Sequence, residues 1–160
     1  MKRFLPIFII FFIFCSYGAS EELESEILEA VSEATGSITD STFQYINTSE
    51  AVVTENFTDK KTIIIFWADY WGVCRRELPV VEKELANISD EYDVIALAHS
   101  QYEPTMEWVN ENLKGNLTIG FSTPELRDYF KIVGQPISIV LDTNGEIISR
   151  TYGEIDLTNF

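Results

Sequence analysis

The sequence predicts an α/β domain built on a mixed β-sheet, and three observations predict it. Thr62-Ile63-Ile64-Ile65-Phe66-Trp67 is a continuous β-branched and aromatic run, the pattern of a central strand buried on both faces. Strand-like and helix-like segments then alternate along the chain. Asp142-Thr143-Asn144-Gly145 closes the series with a strong hairpin turn, which adds an antiparallel pair. The length of 160 residues suits one domain with an attached segment, and 46% hydrophobic content is enough for a core.

Phe43 to Ile46 and Ala51 to Val53 read as two short strands around an Asn47-Thr48-Ser49-Glu50 turn, an N-terminal β-hairpin. The central strand follows Asp59-Lys60-Lys61 and leads to a helix over roughly Cys74 to Ala86. Leu78, Val81, Leu85 and Ile88 form its apolar stripe, with Cys74 one turn before Leu78 on the same side. Pro79 lies inside this helix, removes one backbone hydrogen bond and predicts a kink. Asp93 to Ala98 is a second buried strand. Glu103 to Leu113 reads as a helix with Met106, Val109 and Leu113 inward, and Leu117 to Phe121 as a short strand. Thr123 caps a helix that begins at Pro124 and carries Leu126, Tyr129 and Phe130. Val133-Gly134-Gln135-Pro136 leads into the strand Ile137 to Leu141, and Glu146 to Tyr152 returns beside it.

Residues 1–20 have the form of a signal peptide. Lys2-Arg3 is the positive start, Phe4 to Phe14 is almost purely apolar, and small residues precede Glu21-Glu22, so cleavage is expected near Ser20. The apolar run is short for a membrane span, and membrane attachment is expected only if the signal stays uncleaved. Lipidation of Cys15 would want a small residue before it, where Phe14 is bulky. Residues 21–39 form an acidic spacer whose Leu23, Ile27, Ala30, Val31 and Ala34 fall near helical spacing. Glu22, Glu26, Glu29 and Glu33 repel one another there, at a few tenths of a kcal/mol per pair, so this helix needs a docking surface. The domain itself is expected over 40–160.

The formal charge is −15, and removing residues 1–20 takes away Lys2 and Arg3 and no acid. Such a chain repels nucleic acid and anionic lipid heads, and it carries no basic stripe or phosphate-binding loop. Asn47, Asn56, Asn87 and Asn116 each begin an N-glycosylation sequon, which fits an exported, surface-exposed protein. With Cys15 gone, Cys74 is the sole cysteine and no internal disulfide can form. One histidine, His99, and one cysteine are too few for a metal site, so no metal and no cofactor are expected.

Ile65-Phe66-Trp67-Ala68-Asp69-Tyr70-Trp71-Gly72-Val73-Cys74-Arg75-Arg76-Glu77-Leu78-Pro79 is the most informative stretch. It resembles the active-site segment of thioredoxin-like proteins of the TlpA/ResA, or redoxin, type. There an apolar strand runs into Phe-Trp-Ala-x-Trp-Cys-x-x-Cys-(Arg/Lys)-x-Glu-Leu-Pro and opens a helix. The resemblance covers about residues 40 to 156. It implies a thioredoxin-like fold, a mixed central sheet flanked by helices with the β-hairpin as an N-terminal extension. It also implies a helix after the last hairpin, on the face of the post-cysteine helix. Asp156 to Phe160 leaves no room for that helix, and Leu23 to Ala34 is expected to dock there instead, because an uncovered apolar face would be a patch.

The same resemblance puts the family's chemistry in question. Dithiol exchange needs an exposed thiolate at a helix N-terminus and a second thiol that resolves the mixed disulfide. Trp71 stands at the first position, and only Cys74, at the second, remains. Ile65 stands where thioredoxins resemble one another in having a buried carboxylate. Ordinary intramolecular dithiol exchange is therefore not expected, and two readings stay open. In one, a non-catalytic protein binds an extracytoplasmic polypeptide through Trp67, Tyr70 and Trp71 and through Gln135-Pro136, which aligns with the family's cis-proline loop. In the other, Cys74 acts as a monothiol oxidoreductase, helped by Arg75, Arg76 and the helix terminus. Against that stands Cys74 as a small apolar residue of the core, and against the first reading stands Trp67 as core with Tyr70 and Trp71 merely covering the turn. The peroxiredoxin pattern fails at Trp67 and Trp71, and Asp69 and His99 read as loop residues.

Overall fold

Seven strands form one mixed sheet in the order β2-β1-β5-β4-β3-β6-β7. The computed structural model describes residues 42–155 and residue 157. The expected signal segment 1–20 and the expected acidic spacer 21–39, with its docking helix, lie outside the described residues.

The continuous apolar run is β3 (Lys61–Trp67), at the centre of the sheet. It pairs parallel with β4 (Tyr92–Ala98) in register Ile63↔Val94 and Ile65↔Ala96. On its other side β6 (Ile137–Leu141) runs antiparallel, with Ile64↔Ile139. β5 (Thr118–Phe121) extends the parallel side, and β7 (Ile147–Tyr152) the antiparallel one. β1 (Thr42–Asn47) and β2 (Val52–Asn56) form the expected hairpin, joined to the sheet through Ile46↔Phe121 and Asn47↔Gly120. β2 runs three residues past its expected end, because pairing with β1 continues to Thr42↔Asn56. Gly120 lets β1 approach: a Cβ there would meet the Tyr45 ring at 2.4 Å and the Ile46 carbonyl at 2.9 Å.

Alternation along β3 divides the core. Ile63, Ile65 and Trp67 face one side; Ile64 and Phe66 face the other. The first side is covered by α1 (Gly72–Ile88) through Cys74, Leu78 and Val81, and by α2 (Tyr102–Asn112) through Trp108 and Val109. Ile155 and Leu157 pack on that side as well. The second side takes Leu126 of α3 (Pro124–Tyr129) and the following Phe130. Thr123 caps α3 as its position predicts, its Oγ1 accepting from the Leu126 N–H at 3.1 Å. Tyr129 is half-exposed rather than inward, since Leu126 and Phe130, four apart, take the buried face. In α2 the inward residues are Thr105, Trp108 and Val109, while Met106 and Leu113 are only partly covered.

One buried carboxylate locks α1 to the loop after α2. Glu82 lies in line with the apolar stripe and is 7% exposed. Its oxygens accept from the Lys114 N–H at 2.8 and 3.0 Å and from the Asn116 N–H at 2.9 Å.

Candidate functional site

The end of β3 delivers the chain into a short turn and then into α1. Trp71 is the N-cap residue, with φ −98°, ψ 114° and no side-chain cap bond. An indole cannot accept from the first-turn amides as Ser or Asp would. The turn is closed by the backbone instead: Trp71 N–H donates to the Ala68 carbonyl at 3.2 Å, and Arg75 N–H to the Trp71 carbonyl at 3.1 Å.

Cys74, one turn in, is fully buried beside Leu78 and Val81 in the core on that face. Burial pushes its thiol pKa up. Backbone amide contacts at Ala68 and Cys74 pull it back only in part, and Glu77 adds to the rise. The two arginines expected to activate it are engaged elsewhere. Arg75 lies over the Trp108 ring at 5.8 Å, and Arg76 Nη1 donates to the Gly72 carbonyl at 3.1 Å. A thiol held neutral and out of reach of solvent is a poor nucleophile.

Tyr70 and Trp71 are exposed, by 62% and 47%. The Tyr70 hydroxyl accepts from Gln135 Nε2 at 3.1 Å. The Gln135–Pro136 peptide bond is cis. Pro136 is buried and its carbonyl accepts from the Gly153 N–H at 3.0 Å. Gln135 lies beyond the last register pairs, Phe66↔Ile137 and Ile137↔Tyr152, so its main chain borders both strand ends. Val133, in the same loop, is 85% exposed. The structure thus brings Tyr70, Trp71, Gln135 and Pro136 together at one end of the sheet.

Trp67 does not join them. It was expected on the contact surface, but its ring is fully buried, 5.3 Å from that of Trp108. The pleat explains this: Trp67 continues the Ile63 and Ile65 face, which α1 and α2 cover. Its Nε1 has no hydrogen-bond partner.

Asp69 is tied into the fold rather than loose in a loop. Thr105, fully buried in α2, donates from Oγ1 to Asp69 Oδ1 at 3.2 Å and lies 2.8 Å from Ser100 Oγ. His99 N–H donates to the Trp67 carbonyl at 2.7 Å, which seats the histidine at the edge of the Cys74 turn. Desolvation, then the nearby Arg127 charge, lowers the His99 pKa from its ordinary value. Asp69, Tyr70, His99, Ser100, Gln101 and Pro104 enclose an open cleft of about 530 Å³. Among the described residues no three His, Cys, Asp or Glu side chains are grouped to hold a metal.

Solved structures share this architecture. The thioredoxin domain of a thiol-disulfide oxidoreductase from Bacteroides vulgatus is 23% identical, with 78% of this chain and 93% of that one covered at a TM-score of 0.63. StoA from Bacillus subtilis is 21% identical, covering 76% and 94% at 0.61. A secreted Mycobacterium tuberculosis disulfide oxidoreductase is 14% identical, covering 73% and 90% at 0.59. No protein-family model and no curated protein matches the chain by sequence. The fold is thioredoxin-like.

Proposed function

We propose that this is an exported thioredoxin-fold protein without dithiol activity, which binds an extracytoplasmic polypeptide through the Tyr70–Trp71 turn and the Gln135–Pro136 loop. The observation that carries the reading is the inversion at the helix start. The exposed N-cap position, where exchange needs a thiolate, holds Trp71, and the one thiol nearby, Cys74, is fully buried with a raised pKa. What remains exposed is two aromatic side chains and the apolar Val133, flanking a loop main chain at the end of two ladders. Such a surface suits an extended peptide, with main-chain bonds for affinity and aromatic contact for grip. The monothiol alternative needs a solvent-accessible Cys74.

Export rests on the signal-like residues 1–20, and the secreted neighbour has the same fold. The sequon residues Asn56, Asn87 and Asn116 are exposed, as glycan attachment requires, while Asn47 Oδ1 accepts from the Ser49 and Ala51 amides in the β1–β2 turn. Screening extended peptides against the folded domain, with binding read by isothermal titration calorimetry, tests the proposal. Binding retained by wild type and Cys74→Ala but lost in Trp71→Ala is expected. Binding that survives Trp71→Ala, or activity that vanishes in Cys74→Ser, sinks it.

A further inference from the structure

A second cavity, of about 370 Å³, opens at the carboxyl ends of the parallel strands β4 and β5 and meets the first cleft at His99 and Ser100. Its apolar wall is built by Ile46 and Phe121, directly paired across β1 and β5, and by the Tyr102 ring, 5.2 Å from that of Phe121. Its polar wall is Arg127. Nη1 of Arg127 donates to the Ser122 carbonyl at 2.5 Å and to Ser122 Oγ at 3.0 Å, which fixes one edge of the guanidinium.

Among the described residues that guanidinium makes no ion pair; the pairs there are Lys60–Asp93, Lys61–Glu91 and Lys131–Asp128. This happens in a chain with 26 acidic residues against 11 lysines and arginines. Desolvation lowers the Arg127 pKa, with Glu125 offsetting part of the effect, and His99 is lowered by its own burial and by Arg127. Both groups line the same cavity, His99 exposed at its mouth and Arg127 half-buried, and a carboxylate is the natural complement to a planar fork of donors.

We propose that this cavity binds a carboxylate carrying a short apolar body, the carboxylate seated on Arg127 and His99 and the body against Ile46, Phe121 and Tyr102. A few placed polar groups over an apolar wall is the usual make-up of a small-ligand site. Glu50 also lines the cavity and repels such a ligand, so it tunes affinity downward.

The test is an NMR titration of the full chain with isovalerate, with isovaleramide as the uncharged isostere and inorganic phosphate as the anion without an apolar body. Isovalerate is expected to give saturable shifts at the His99 ring, the Arg127 side chain and Ile46, and to raise the His99 pKa by neutralising its neighbour. Arg127→Gln should weaken binding about tenfold or more. Glu50 is exposed, so Glu50→Gln keeps the test intact if the arginine variant does not fold, and it should tighten binding about twofold. N-acetyl-alanyl-leucine separates the two sources of the chemistry: much tighter binding than isovalerate assigns the site to a peptide carboxyl terminus, equal or weaker binding to a free small acid. Saturation by isovaleramide or phosphate as readily as by isovalerate, no saturation by any carboxylate, or an unchanged affinity in Glu50→Gln would overturn the proposal.

Discussion

Gln135 and Tyr70, 65 residues apart in sequence, are joined by a hydrogen bond of 3.1 Å from the amide nitrogen to the phenol oxygen. It pins the loop before Pro136 to the turn before α1, and so holds the two halves of the proposed binding surface in one arrangement. Both partners reach solvent, so the bond contributes to pre-organisation more than to stability. Tyr70→Phe removes it and keeps the ring. The melting temperature should move by less than about 2 °C, as for an ordinary surface change. Peptide affinity should fall several-fold, measured by the same calorimetric titration. Unchanged affinity would remove the loop from the site.

Trp71→Ala should act more strongly. Truncating a central aromatic anchor costs about 2 kcal/mol or more of binding, a loss of roughly thirtyfold. The fold should tolerate it, because the N-cap here makes no side-chain bond that could be lost. Far-UV circular dichroism and thermal melting check that second half, and a collapsed fold would show Trp71 to be structural.

Cys74 predicts both a labelling rate and a pH effect. A fully buried thiol reacts only after local opening, and an opening free energy of about 3 kcal/mol slows alkylation roughly a hundredfold relative to the unfolded chain. Its folded pKa is raised, so the neutral thiol favours the native state. That stability is fully present below the unfolded pKa of about 8.5 and declines as pH rises above it toward the folded value. Denaturant titrations at pH 7 and pH 10 should therefore show a steeper loss in wild type than in Cys74→Ala. Fast alkylation in the native state, with a depressed pKa, would instead restore the monothiol reading.

Restoring the missing thiol tests the alignment itself. Trp71→Cys would place a half-exposed sulfur at a helix N-terminus, three residues before Cys74, where i and i+3 side chains approach within disulfide range. Mild oxidation should close the pair, with both free thiols lost by titration. The variant should still be a poor catalyst, because fully buried Ile65 offers no carboxylate to handle the second thiol's proton. Two thiols that remain free under oxidant would show that Trp71 does not occupy the first-cysteine position.

How far the sequence could be read follows from what each signal depends on. β3 was legible because a run buried on both faces needs no partner to identify it, and the α3 cap because Thr123-Pro124 is a local signature. Trp71, at the position where the resemblance puts a first cysteine, can be read from one position. Trp67 was misplaced because its neighbours in sequence, Tyr70 and Trp71, are exposed, while the strand pleat continues through Trp67 and buries it. The cavity at Arg127 draws on β1, β4, β5 and α3, and no short window of sequence contains it. Glu82 left a signal that went unread: an acid at the fourth position after Leu78, inside the stripe of Val81 and Leu85.

That acid gives the last prediction. Burial alone would raise the Glu82 pKa, but the amides of Lys114, Asn116, Leu117 and Gly115 stabilise the carboxylate and hold it below its ordinary value. A lowered folded pKa means stability that is present above the unfolded pKa of about 4.3 and lost as pH falls through the folded value. Glu82→Gln keeps the shape but turns amide hydrogens toward amide donors. It should cost about 1.5 kcal/mol, or a fall in Tm of about 4 °C, at pH 7. As pH falls through the folded value, where wild type protonates the same group, the gap should narrow. Because Glu82 lies on the far part of α1 from Trp71, peptide binding at neutral pH should be unaffected in the folded variant. Equal stability of the two proteins at pH 7, measured by urea titration, would show that the loop after α2 holds its place without the carboxylate.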